Sequence, residues 1–249
     1  MGIYDREYTQ ADYQPRRAAP AFGGVRMWSV TTWLIVINVA VFILNNLVVR
    51  DVVDEFGELI GRVHPIEQIG YFSVSTGIAH GQVWRFITFQ FLHANFNHIL
   101  FNMLALFFFG PLVEAYLSSR RYLAFYLICG IAGPLMYIAL WVLGIGIHDP
   151  RAPMVGASAG IFGVLIAAAV IAPNATVLIY GLIPARLRVV ALCALGYAIF
   201  TVIFQGPNAG GEAAHIGGAI AGAALIKNPQ ILRFVDLIGA TRPRMRYRT

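Results

Sequence analysis

Uncharged, apolar runs recur along this 249-residue chain at lengths that suit the interior of a lipid bilayer. Arg26 and Arg50 are separated by 23 uncharged residues, Arg121 and Asp149 by 27, and Arg151 and Arg186 by 34. A chain that is 58% hydrophobic and 12% charged, with mean hydropathy +0.69, lies outside the range of ordinary water-soluble domains. The expectation is an all-α, polytopic membrane bundle, because a helix satisfies its backbone polar groups within its own segment. The runs are too long and too many for a cleaved signal peptide.

Six spans are expected. Five cover about 27–49, 95–117, 121–143, 158–171 and 189–204, and the sixth falls between Glu212 and Lys227, where only 14 residues are uncharged. Pro173 and Asn174 break the long run after span four, and 177–184 reads as an interfacial return. Residues 50–94 are too long for a bare linker and carry Trp84-Arg85 ahead of span two. Residues 1–26 read as a poorly ordered tail, 27–227 as the membrane domain, and 228–249 as a basic C-terminal tail.

With both termini inside, 14 of the 18 Lys and Arg residues fall on inside segments, which is the orientation the positive-inside rule selects. This places the chain in a cell membrane, plasma or inner, with cytoplasmic ends. The net charge of +6 is explained by these span-flanking residues, so nucleic acid is not an expected partner. Cys129 and Cys193 lie inside apolar runs and imply packing, not a disulfide.

Against this apolar background, two spans carry isolated reactive groups: Ser158 in Gly156-Ala-Ser-Ala-Gly160 and His215 in Ala214-His-Ile-Gly-Gly218. Both are expected in the first turn of their helices, at similar depth near the outer face, where a hydroxyl and an imidazole supply a nucleophile and its base. The unpartnered N–H groups at the start of span four, that of Ser158 included, suit an oxyanion. Gly156, Gly160 and Gly163 on one side and Ala214, Gly218 and Gly222 on the other are expected to let the two backbones approach closely. Phe162 shares a helix face with Ser158 and is expected to pack against the imidazole. In span two, His98 and Asn102 stack one turn apart and are oxyanion-hole candidates. His93 is expected to point elsewhere. Glu212 is expected to be a solvated loop carboxylate rather than a group that orients His215.

The G-x-S-x-G pattern around Ser158 also matches the nucleophile elbow of soluble α/β-hydrolases. That elbow needs a strand before the serine and an acid then a histidine after it; here the flanks are membrane helices and Glu212 is the sole intervening acid. No H-E-x-x-H occurs and the histidines are scattered, so neither a metal nor another cofactor is expected.

Over residues 27 to 227 the chain resembles the rhomboid family of intramembrane serine proteases. The resemblance rests on Trp84-Arg85, His98-Ile-Leu-Phe-Asn102, Gly110 with Glu114, Gly156-Ala-Ser158, and Ala214-His215 with Gly218 and Gly222. It implies a Ser158–His215 dyad without a third acid, and an oxyanion hole lined by the Ser158 N–H, His98 and Asn102. It also implies a cavity open to the outer side, span five as a lateral gate, and transmembrane proteins as substrates. Ala159 departs from the glycine that the family often has there; either its methyl crowds the site in a tight turn, or Gly160, which follows immediately, supplies the missing freedom. The alternative is a catalytically silent relative that binds transmembrane helices.

Overall fold

The computed structural model describes residues 28–146, 148–179 and 181–238. The tail expected over 1–26 and the basic stretch 239–249 lie outside these residues. The chain is mostly helical, with two small hairpins that the all-α expectation did not contain. Helix α1 (Val30–Leu47) is followed by the hairpin β1 (Arg50–Val53) and β2 (Leu59–Val63), then by short helices α2 (Pro65–Gly70) and α3 (Arg85–Thr88). Helices α4 (Phe96–Leu117), α5 (Ser119–Val142) and α6 (Ser158–Ile171) come next. A second hairpin, β3 (Thr176–Ile179) and β4 (Ile183–Arg186), leads to α7 (Leu187–Ile203), α8 (Ala209–Lys227) and the short α9 (Phe234–Ile238). Both hairpins are antiparallel, with Arg50 opposite Val63 and Thr176 opposite Arg186.

Helices α1, α4 and α5 are each long and apolar enough to cross a bilayer, while α6 and α7 are shorter apolar helices. Helix α8 has 19 residues, more than the 14-residue uncharged run suggested, because Glu212 lies inside its first turn. His215 consequently sits in the second turn of α8, a correction to the expected first turn. Ser158 is the first residue of α6.

Helix ends are closed by side chains that also join elements. Ser29 Oγ accepts from Thr32 N at the start of α1, and Asn95 Oδ1 accepts from His98 N at the start of α4. Glu114, near the end of α4, accepts from the backbone N–H groups of Val30 and Thr31 at 2.8 and 3.0 Å and from the Thr31 and Ser119 hydroxyls at 2.7 Å. One carboxylate thus satisfies donors at the α1 N-terminus, where negative charge is favoured, and pins the α4–α5 corner beside it. At the other end of α1, the Asn45 carbonyl meets His64 Nδ1 at 2.8 Å and the Asn45 amide oxygen accepts from Glu67 N.

Residues 64–94 form a folded cap. The Arg85 guanidinium donates to the carbonyls of Tyr71 and Gln68 and to the Gln82 amide, and the Trp84 indole donates to the Ile69 carbonyl. Phe72, fully buried, exchanges two backbone hydrogen bonds with Met154, tying the cap to the segment that enters α6. Under it lies a core of Phe72, Phe89, Tyr137, Met154, Ala159 and Ala213, while a larger core of α4, α5 and α6 residues, Leu106, Tyr122, Tyr126 and Val164 among them, fills the rest. Past α8 the chain folds back. Leu232 is fully buried, and Asp236 pairs with Arg121 at the start of α5.

The tightest packing joins α6 to α8. A methyl on Gly222 would lie 2.6 Å from Gly163 Cα, and one on Gly218 would lie 1.9 Å from the Ala159 carbonyl oxygen. The neighbours are backbone atoms, so neither contact can be relieved by a rotamer change. The other small residues of this expected seam serve different contacts: Gly160 faces Tyr126 of α5, Ala214 faces Gly133 of α5, and Gly156 faces His98. Gly218→Ala is expected to cost about 2 kcal/mol of overpacking, measured by thermal unfolding in detergent. Gly196→Ala in α7, where nothing lies within 4 Å, is expected to leave stability unchanged or slightly raised.

Candidate active site

The starts of α4, α6 and α8 converge on one cavity of about 770 Å³. Its lining includes His98 and Asn102 from α4, Tyr137 from α5, Ser158 and Phe162 from α6, and His215 from α8. The approach of α6 and α8 brings Ser158 Oγ to 2.8 Å from His215 Nε2. The Phe162 ring stacks on the imidazole, with centroids 4.1 Å apart and planes 8° from parallel, and so fixes the ring plane. A hydroxyl within hydrogen-bond reach of an imidazole nitrogen, in an open cavity, can lose its proton as it attacks an electrophile.

Gly156 and Asn102 complete the surroundings. Gly156 has φ of +131°, a backbone region open to glycine, and a methyl there would lie 2.8 Å from His98 Nε2 and 3.5 Å from Ser158 Oγ. Its role is therefore to seat the His98 ring next to the serine, not to bring α6 and α8 together. Asn102 is buried, and its Nδ2 has no hydrogen-bond partner among the described residues. An amide donor held unpaired beside a cavity is suited to a negative oxygen that arrives only with a ligand. Since Ser158 opens α6, its own N–H is one of the helix's unpaired donors.

Comparison with known proteins identifies the family. Residues 80–227, more than half the chain, match the model of the Rhomboid domain. The chain belongs to the rhomboid family. It is 31% identical over 140 residues to the rhomboid-named YdcA of Bacillus subtilis (strain 168), covering 56% of this chain and 60% of that protein. Rhomboid protease GluP of the same organism is 35% identical over 148 residues, 59% of this chain and 27% of GluP. Rhomboid protease AarA of Providencia stuartii is 33% identical over 177 residues, 63% of this chain and 61% of AarA. The chain thus spans less than two thirds of each of these relatives. Family and helix composition together make it a membrane protein.

One expectation for this rhomboid needs correction. Glu212 is no solvated loop residue: it is helical and buried, and its Oε2 lies 2.8 Å from His215 Nδ1. The i−3 spacing signalled this contact, but the start of α8 was placed too late in the sequence for it to count. His93 is buried away from the cavity lining, and its ring meets that of His98 edge-on at 5.1 Å. The Ala159 methyl does not crowd the turn, because it points at Gly133 of α5, where a second methyl would come within 2.8 Å. Sequence reading also missed Tyr137, His148, Asp149 and Asn208 on the cavity wall, since nothing in their spacing ties them to Ser158.

His93 is 3% exposed, and neither ring nitrogen has a partner among the described residues. Burial, with the nearby His98 second, pushes its pKa down to about 3. A folded-state value below the ordinary 6.5 means that unfolding takes up a proton once the pH is under about 6.5, so the stability is present above that pH and is lost towards about pH 3. Below pH 6 the wild type is expected to lose up to about 1.4 kcal/mol per pH unit more than His93→Leu. Unfolding midpoints of the two proteins across pH 4–7 check this.

Proposed function

We propose that this rhomboid is an intramembrane serine endopeptidase that cleaves transmembrane or membrane-adjacent segments of other proteins. The observation that carries the reading is the 2.8 Å contact between Ser158 Oγ and His215 Nε2 inside the open cavity. In the proposed reaction Ser158 Oγ attacks the scissile carbonyl while His215 Nε2 takes the hydroxyl proton and then delivers it to the leaving amine. The resulting acyl-enzyme is opened by water, with His215 again as base. The Ser158 N–H, His98 and Asn102 Nδ2 donate to the tetrahedral oxyanion, a task worth about 3–4 kcal/mol per donor at such sites.

In the membrane we assign six spans to α1, α4, α5, α6, α7 and α8, within a domain of about 27–227 and with both tails cytoplasmic. Helix α6 supplies the reason for its catalytic depth: 14 residues span only about 21 Å of a hydrocarbon core of about 30 Å. Its inner end near the cytoplasmic face leaves Ser158 below the outer surface, in a recess that water reaches through the cavity. Helix α7 contributes no cavity-lining residue, which leaves its flank as the route for a substrate helix from the lipid.

Ser158→Ala and His215→Ala are each expected to abolish cleavage of a transmembrane substrate in liposomes while thermal unfolding stays near wild type. Asn102→Ala is expected to lower kcat about 100-fold or more, as loss of a single oxyanion donor does elsewhere. A fluorophosphonate is expected to label wild-type protein at Ser158. A folded protein that never labels and never cleaves would instead be a silent binder of transmembrane helices.

A further inference from the structure

We infer that Glu212 is a positioning residue for His215, so that this chain carries a hydrogen-bonded Ser158–His215–Glu212 series instead of an unaided pair. The inference rests on the proposed Ser158–His215 chemistry and adds the group that fixes the base. Nε2 of the imidazole lies 2.8 Å from Ser158 Oγ and Nδ1 lies 2.8 Å from Glu212 Oε2, so both ring nitrogens are engaged at once. An ionised carboxylate can only accept, which places the imidazole proton on Nδ1 and leaves the Nε2 lone pair for the serine proton.

The setting holds the two side chains together. Glu212 lies in the first turn of α8, where the unpaired N–H groups and the helix dipole stabilise negative charge. The Glu212 and His215 side chains are only 11% and 13% exposed, so water competes weakly for the bond. Three residues apart on one helix, they are held in register by the backbone itself. Phe162 fixes the plane of the ring, and Glu212 fixes its rotation within that plane. When His215 takes up the serine proton, the carboxylate faces the imidazolium and stabilises it.

Other titratable groups share the cavity and set the background for any pH measurement. They are His98 from α4, Tyr137 from α5, Ser158 from α6, and His148 and Asp149 from the loop before α6; α7 contributes none. Comparing variants that differ only at Glu212 holds these constant.

The test uses the full chain in liposomes with a transmembrane substrate, measuring kcat and KM from pH 5 to 9 for wild type, Glu212→Gln and Glu212→Ala. Both variants are expected to lose about 10- to 100-fold in kcat, a part of what a general base supplies in total. KM stays within about threefold, since the group touches no substrate. In Glu212→Gln, which keeps the shape and removes the charge, the fluorophosphonate labelling rate falls in parallel with kcat. Glu212→Gln with wild-type kcat and wild-type labelling rate would overturn the inference, and this variant decides even if Glu212→Ala fails to fold. Ser158→Ala and His215→Ala run alongside separate the two ideas. Full loss in both with an unaffected Glu212→Gln removes only the role of Glu212, whereas turnover in Ser158→Ala removes the reading beneath it.

Discussion

Backbone-to-backbone contact between α6 and α8 is the constraint on which the site depends. Serine and histidine side chains reach only a few ångströms from their Cα atoms, so a 2.8 Å Oγ–Nε2 contact demands helices closer than ordinary side chains permit. Gly163, Gly218 and Gly222 meet that demand by having no Cβ where the two backbones touch. In lipid, where apolar side chains gain little by leaving the solvent, close van der Waals contact of this kind is also what holds helices together. Stability and reactivity therefore draw on the same glycines.

The segments around the helices act as a frame for this seam. Phe72 and Met154 join the cap to the strand-like entry into α6, and Arg85 locks the cap through three oxygen acceptors. At the other end of the bundle, Glu114 fastens the start of α1 to the α4–α5 corner. Both anchors are polar groups of a kind that the bilayer would penalise if left unpaired. Their hydrogen bonds turn a penalty on exposure into a preference for one arrangement.

Much of the helix layout was legible in the sequence because hydropathy and charge report directly on where lipid ends. The bounds of α6 agree with the 158–171 reading, and α4 and α5 start or end within a residue or two of theirs. Helix α8 was misjudged because a charged residue was taken to mark its end, whereas Glu212 lies within the helix with its carboxylate hydrogen-bonded to His215. The two hairpins were hidden because their residues are exposed on both faces and so leave no alternating pattern. At the site, the reactive residue types stood out against an apolar background. What the sequence could not convey was direction: which small residue faces which neighbour depends on helix rotation, and so Gly156, Gly160 and Ala214 turned out to serve contacts other than the α6–α8 seam.

The Ala159 methyl, seated against Gly133, makes two distant positions share a single volume. One carbon can belong to α6 or to α5, but not to both. Trimming residue 159 to glycine leaves a methyl-sized void worth about 1 kcal/mol, and enlarging residue 133 to alanine fills the same void from the facing helix. The pair thus behaves as one steric unit, and a redesign that altered either partner alone would disturb the floor beneath the serine.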